Sequence, residues 1–92
     1  MHWPIVIRRV EGHSMEPTLK QGAIIFATPL LSVGKGDVVV ARHEDKDIIK
    51  RVTKIKDEKY FLEGDNSSHS RDSRRFGLVE KSEVLGRVIP SR

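Results

Sequence analysis

The feature that most constrains this chain is the way its apolar residues are grouped. They come in short β-branched runs cut by turn-forming residues, and no window keeps apolar side chains at i, i+3, i+4 and i+7 for three turns. A long helix is therefore excluded, and the runs read as strands. Ile5 to Val10 ends at Glu11-Gly12, and Ala23 to Thr28 lies between Gly22 and Pro29. Val38 to Arg42 follows the turn signal Gly34-Lys35-Gly36-Asp37, and a polar connection, His43 to Asp47, leads to the longer run Ile48 to Lys56, which predicts a hairpin. Tyr60 to Glu63 pairs back after Asp57-Glu58-Lys59. Gly64 to Ser73 contains no apolar side chain and is expected as a surface loop, from which Arg74 to Leu78 re-enters the fold through Phe76. A single helical turn at Glu80 to Glu83 precedes the last strand, Val84 to Ile89.

Six or so closely spaced strands in 92 residues predict an all-β fold, a small coiled antiparallel sheet, partly closed to limit its exposed edges. The length allows one domain, residues 1–92, with one modest core. A composition of 37% hydrophobic and 33% charged residues suits a folded chain with a strongly solvated surface.

Seventeen Lys and Arg against thirteen Asp and Glu leave a net charge of +4, but no run of five basic residues occurs, so nucleic acid is not expected as a partner. With no cysteine there is no disulfide, thiol nucleophile or thiolate metal site. His2, His13, His43 and His69 lack paired metal-ligand spacing and read as exposed loop residues, so no metal or cofactor is expected. The longest apolar runs, of about five residues, fall far short of the ~20 that span a bilayer. Trp3 to Ile7 beside Arg8 and Arg9 has two readings, a peripheral contact with a membrane surface or a core strand.

Three constellations could carry chemistry. Ser14 lies in Gly12-His13-Ser14-Met15-Glu16-Pro17-Thr18-Leu19, where a glycine two residues earlier permits a tight turn and a proline three residues later restricts φ. Taken alone, a serine in such a turn is more often structural than nucleophilic. In the fourth strand, alternation places Ile48, Lys50 and Val52 on one face and Ile49, Arg51 and Thr53 on the other. Lys50 between two aliphatic neighbours either snorkels to water or is held dry. Held dry, its ammonium is disfavoured, and a neutral lysine can take a proton from a serine hydroxyl. The polar loop supplies Gly64-Asp65-Asn66, then Ser70, Asp72 and Arg74. It reads as a solvated loop in which Asp72 and Arg74, two apart in extended chain, share a face and can pair, a surface pair contributing little stability.

In order along the chain, these segments resemble the motif boxes of the type I signal peptidase family of Ser/Lys serine endopeptidases. The Gly12–Leu19 segment is similar to the nucleophile box and Gly36-Asp37-Val38-Val39-Val40 to the strand box after it. Ile49-Lys50-Arg51-Val52 is similar to the general-base box, and Gly64-Asp65-Asn66 through Ser70, Asp72, Ser73, Arg74, Phe76 and Gly77 to the final box. The resemblance implies that Ser14 is the nucleophile, its backbone N–H an oxyanion donor, and Lys50 the general base. It further implies that Ser70 orients the Lys50 amine, that Asp72 and Arg74 form a supporting ion pair, and that Met15 and Pro17 shape the turn. The implied substrate is a preprotein or leader peptide, bound as an extended strand and cut after small residues at its first and third positions.

The chain departs from many bacterial members in having Gly12 where they have a serine, as the mitochondrial inner-membrane peptidases do, which leaves a second oxyanion donor unassigned. Only Val52 to Glu63 separate the base box from the final box, so a large inserted domain is lacking. No membrane anchor is evident, as in the small relatives that mature nickel superoxide dismutase, and the implied localisation is membrane-associated or cytoplasmic. Three alternatives stand beside general leader-peptide removal. They are a maturation protease for one nickel superoxide dismutase leader, a self-cleaving repressor of the SOS type, and a non-catalytic basic β-domain that binds peptides or an anionic surface.

Overall fold

The computed structural model describes residues 4–89. Its seven strands are β1 (Val6–Arg9), β2 (Ile24–Thr28), β3 (Val38–His43), β4 (Lys46–Lys56), β5 (Lys59–Glu63), β6 (Val79–Glu80) and β7 (Val84–Ile89). They form one antiparallel sheet in the order β1-β2-β7-β3-β4-β5-β6. The all-β class is as expected. The two strands at the ends of that order, β1 and β6, are not paired to each other, so the sheet is open. One helical turn, α1 (Ser73–Phe76), and a 3₁₀ turn at Lys81–Glu83, at the expected place, complete the regular structure that bears on the site.

β3 is the centre of the molecule. Val38, Val39, Val40 and Ala41 are all buried, although their side chains alternate between the two faces of the sheet. Val38 and Val40 pack with Val10, Met15, Ile25, Ala27 and Val88, whereas Val39 and Ala41 pack with Val52, Tyr60, Leu62 and Val79. With no long helix to cover it, this single sheet buries both faces of one strand by coiling. Residues of β2 and β7 therefore come over one face of β3, and those of β5 and β6 over the other. Each such aliphatic side chain taken fully from water contributes about 1.5–3 kcal/mol, which is why so thin a chain can fold.

The hairpins are tighter than the sequence suggests. β3 and β4 are joined by Glu44-Asp45 alone, at φ 51° and 63°, and β4 and β5 by Asp57-Glu58, at 50° and 62°. Two successive positive φ values define the turn whose twist matches that of the flanking strands. His43, Lys46 and Asp47 thus belong to strands, and His43 stacks on Phe76 at 3.9 Å instead of lying in an exposed loop. His2 and Trp3 lie outside the described residues. In the rest of the Trp3–Ile7 edge, Val6 packs against the first core, as the core-strand reading expects, while Ile5 and Ile7 are exposed.

β4 pairs with β3 along Lys46–Arg51 but with β5 only along Arg51–Lys56, with a register shift between Val52 and Lys54. Its outer edge over Lys46–Lys50 is consequently left unpaired beside the site described next.

Candidate active site

The segment after β1 is pinned before it turns. The Val10 amide donates to the Ala23 carbonyl and the Gly22 amide to the Val10 carbonyl, each at 2.8 Å. Gly12 then takes φ 78°, a left-handed conformation that favours glycine, with open space where a side chain would stand. Met15, only 1% exposed, anchors the turn in the first core and leaves Ser14 half-buried at its surface. The Glu16–Pro17 peptide within the turn is cis.

A second element straps this turn from outside. The Asn66 amide donates to the Ser14 carbonyl at 2.8 Å and Asn66 Nδ2 to the His13 carbonyl at 3.1 Å. Asp65 accepts from Thr18 Oγ1 within the turn and from Arg51 Nε and Nη2 on β4, at 2.9 and 2.8 Å. Gly64 completes the strap because only hydrogen fits there: a Cβ would stand 2.6 Å from the Ser14 carbonyl oxygen and against Ser70. The sequence alone assigns Gly64, Asp65, Asn66 and Arg51 no individual role, and their place within the final and base boxes is the only signal for them.

Lys50 is buried, 5% exposed, which decides between its two readings in favour of the dry one. Its Nζ donates to Ser70 Oγ at 3.1 Å, and Ser70 Oγ donates in turn to Asp72 Oδ2 at 2.6 Å. Asp72 also accepts from the Gly64 amide at 2.8 Å, from the Arg74 amide at 3.2 Å and from Arg74 Nε at 2.9 Å, with Arg74 Nη2 on its second oxygen. The pair forms, but not in extended chain, and only its Arg74 half reaches the surface. Asp72 is the N-cap of α1 and is completely buried, and Gly64 and Ser73 are buried with it. The polar segment is in part an interior element, because its carboxylate is met by donors from four groups.

The electrostatics follow from this wiring. Burial lowers the pKa of the Lys50 ammonium and the nearby Arg74 lowers it further, against the opposing pull of Asp72. For Asp72, burial alone would raise the pKa, but the hydrogen bonds from Arg74, Ser70 and the Gly64 amide outweigh it and hold the carboxyl well below its ordinary range.

Ser14 and Lys50 line one cavity of about 120 Å³. Val10, Met15 and Ile49 give it apolar walls, and Arg9 and Asp47 also line it. Arg8 of β1 reaches across to Asp47 of β4, two strands that are not paired in the sheet. Among the described residues no group of three or more His, Asp or Glu could hold a metal ion.

A coiled, open antiparallel sheet with a serine turn and a buried lysine on one cavity defines a class of small all-β domain. The chain belongs to the Peptidase S24-like family, whose model matches residues 4–89. It is 56% identical to signal peptidase I of Streptococcus pneumoniae over 46 residues, 48% of this chain and 22% of that protein. It is 32% identical to mitochondrial inner membrane protease subunit 1 of Xenopus tropicalis over 104 aligned positions, 84% of this chain and 62% of the relative. Signal peptidase I V of Bacillus subtilis is 37% identical over 67 residues, 73% of this chain and 39% of that protein. The matched region thus spans less than two thirds of each of these relatives. The resemblance to the type I signal peptidase family read from the motif boxes is upheld.

Proposed function

We propose that this chain carries the catalytic site of a serine endopeptidase that removes N-terminal signal or leader peptides from preproteins. The observation that carries the reading is the buried Lys50, held by the Ser70–Asp72–Arg74 relay and lining the same cavity as Ser14. Burial favours the neutral amine that a general base requires.

In this mechanism Ser14 Oγ attacks the carbonyl carbon of the scissile bond while its proton passes to Lys50 Nζ. The backbone N–H of Ser14 stabilises the oxyanion. When the intermediate collapses, the C–N bond breaks and Lys50 returns the proton to the leaving amine. Water then attacks the acyl-enzyme, giving a proton to Lys50 and restoring Ser14. Ser70 positions the amine, and Asp72 and Arg74 support Ser70.

The substrate lies extended in the cleft between the outer edge of β1 and the unpaired edge of β4 over Lys46–Lys50, which supply backbone partners to an added strand. A cavity of about 120 Å³ suits small side chains beside the cut. Purified protein is expected to cleave a peptide with an Ala-x-Ala site, and Ser14→Ala and Lys50→Ala are each expected to abolish cleavage; persistence in either variant overturns the mechanism.

The outer face of β1 and β2 presents Ile7 paired with Phe26, with Ile5 and Ile24 nearby, all exposed. No helix among the described residues is long and apolar enough to cross a membrane. We assign this face to peripheral membrane contact. Co-sedimentation with vesicles is expected and is lost in Ile7→Glu/Phe26→Glu; equal sedimentation of the variant refutes the contact.

A further inference from the structure

We propose that a second cavity, of about 250 Å³ and lined by His43, Glu44, Lys46, Ile48, Arg71 and Phe76, is a subsite for an acidic side chain of the bound substrate strand. The residue it reads is the one immediately before the residue whose carbonyl is attacked. The inference rests on the endopeptidase reading of Ser14 and Lys50.

Its position follows from strand geometry. Ile48 lines both this cavity and the Ser14 cavity, so the two adjoin the same stretch of β4. Lys46 and Ile48 point to the face of β4 that carries Phe76 and the second core, whereas Asp47 and Ile49 point to the other, toward Arg8 and the first core. A strand lying along the unpaired edge of Lys46–Lys50 sends successive side chains alternately to these faces. When the residue at the cut fills the wall formed by Val10, Met15 and Ile49, its predecessor meets the Phe76 side.

The lining names the ligand chemistry. Ile48 and Phe76 form an apolar floor, extended by the His43 ring stacked on Phe76 at an interplanar angle of 22°. The rim carries two cations and one carboxylate. Lys46 makes no ion pair among the described residues. Glu44 holds Arg71 loosely at 3.8 Å while also meeting His43 Nε2 at 3.1 Å. A side chain with a short apolar stem and a terminal carboxylate matches this floor and rim, and a lysine meets repulsion.

Two peptides identical except for Glu or Lys at that position test the subsite. Their binding to the Ser14→Ala protein is read by fluorescence anisotropy, and their cleavage by the unaltered protein is followed in parallel. Binding is expected to favour the Glu peptide about 5-fold, the scale of an exposed charge pair. The preference should invert in Lys46→Glu/Arg71→Glu and grow in Glu44→Gln, an exposed position whose change frees Arg71. A general loss of folding would weaken both peptides together and leave their ratio unchanged. Equal binding of the two peptides, a ratio unmoved both by the charge swap in a variant shown to be folded by thermal unfolding and by Glu44→Gln, or no binding of either at about 1 mM overturns the subsite. A Glu preference in binding with no cleavage of either peptide leaves the cavity as a site for an acidic side chain and removes the endopeptidase reading, and with it the position relative to a cut.

Discussion

Lys50 Nζ donates to Ser70 Oγ at 3.1 Å while the Ser70 hydroxyl commits its own proton to Asp72, so Ser70 faces Lys50 only as an acceptor. One N–H of the lysine is thereby fixed, and Lys50 lines the same cavity as Ser14. Replacing Ser70 by Ala removes this hydrogen bond without removing Lys50, the proposed base. A loss of about 10- to 100-fold in kcat with little change in KM is expected, smaller than the loss in Lys50→Ala, because well-placed general-base catalysis contributes about 10²–10⁴-fold in all. Steady-state kinetics on one peptide substrate check this, and a Ser70→Ala enzyme with unaltered kcat removes Ser70 from the site.

The rate should respond to pH through Lys50. In the proposed mechanism only the neutral amine accepts the Ser14 proton, so kcat/KM is expected to rise as pH rises through the Lys50 pKa, which burial places below the ordinary lysine value. Asp72 opposes that lowering, so Asp72→Asn should move the acid limb to lower pH. Arg74 reinforces it, so Arg74→Gln should move the limb to higher pH. The two shifts have opposite signs, which distinguishes charge coupling from general damage. Shifts of the same sign, or none, would show that the limb belongs to another group.

Asp72 also links stability to pH. Its folded pKa lies below its unfolded value of about 4, so its contribution is fully present above that value. As pH falls from there through the folded pKa, the unfolded chain binds the proton more readily and the contribution is lost. Asp72→Asn should lower unfolding free energy at pH 7 by about 2 kcal/mol, a figure reduced from the usual range for buried pairs because Arg74 is partly solvated. The difference between the two proteins should narrow on acidification below pH ~4. Urea unfolding at pH 7 and at pH 3 measures both; a difference that does not narrow places the effect elsewhere.

The strands and the serine turn were legible because they depend on local chemistry: β-branched runs such as Val38–Val40, and the Gly12 and Pro17 that flank Ser14. Lys50 between Ile48 and Val52 was visible as an anomaly, but its fate was not, because Ser70 and Asp72, which hold it, arrive twenty or more residues later. The burial of Asp72 was hidden for the same reason. Its donors come from Gly64, Ser70 and Arg74, and composition alone makes that stretch look solvated. Glu44-Asp45 and Asp57-Glu58 escaped as two-residue turns since neither pair contains the Gly or Asn that usually marks positive φ. β6, with only two residues, is too short for alternation to show.

Gly64 joins the two halves of the site, and it does so through space rather than backbone conformation. A Cβ there would stand 2.6 Å from the Ser14 carbonyl oxygen and 2.6 Å from Ser70 Cβ, and neither neighbour is the free end of a flexible side chain. The Ser14 carbonyl is bound by Asn66 and Ser70 is bound between Lys50 and Asp72, so relief must displace the Ser14 turn, the Lys50–Ser70–Asp72 chain or both. A shift of the following residue offers no escape, because Asp65 is itself held by Arg51 and Thr18. Gly64→Ala is therefore expected to destabilise the fold by about 1–3 kcal/mol, the range for an inserted methyl in a packed interior. It should also lower kcat at temperatures where the variant is fully folded. Thermal unfolding followed by kinetics well below the transition separates the two effects, and a folded variant with wild-type kcat would show that Ser14 and Ser70 do not depend on this contact.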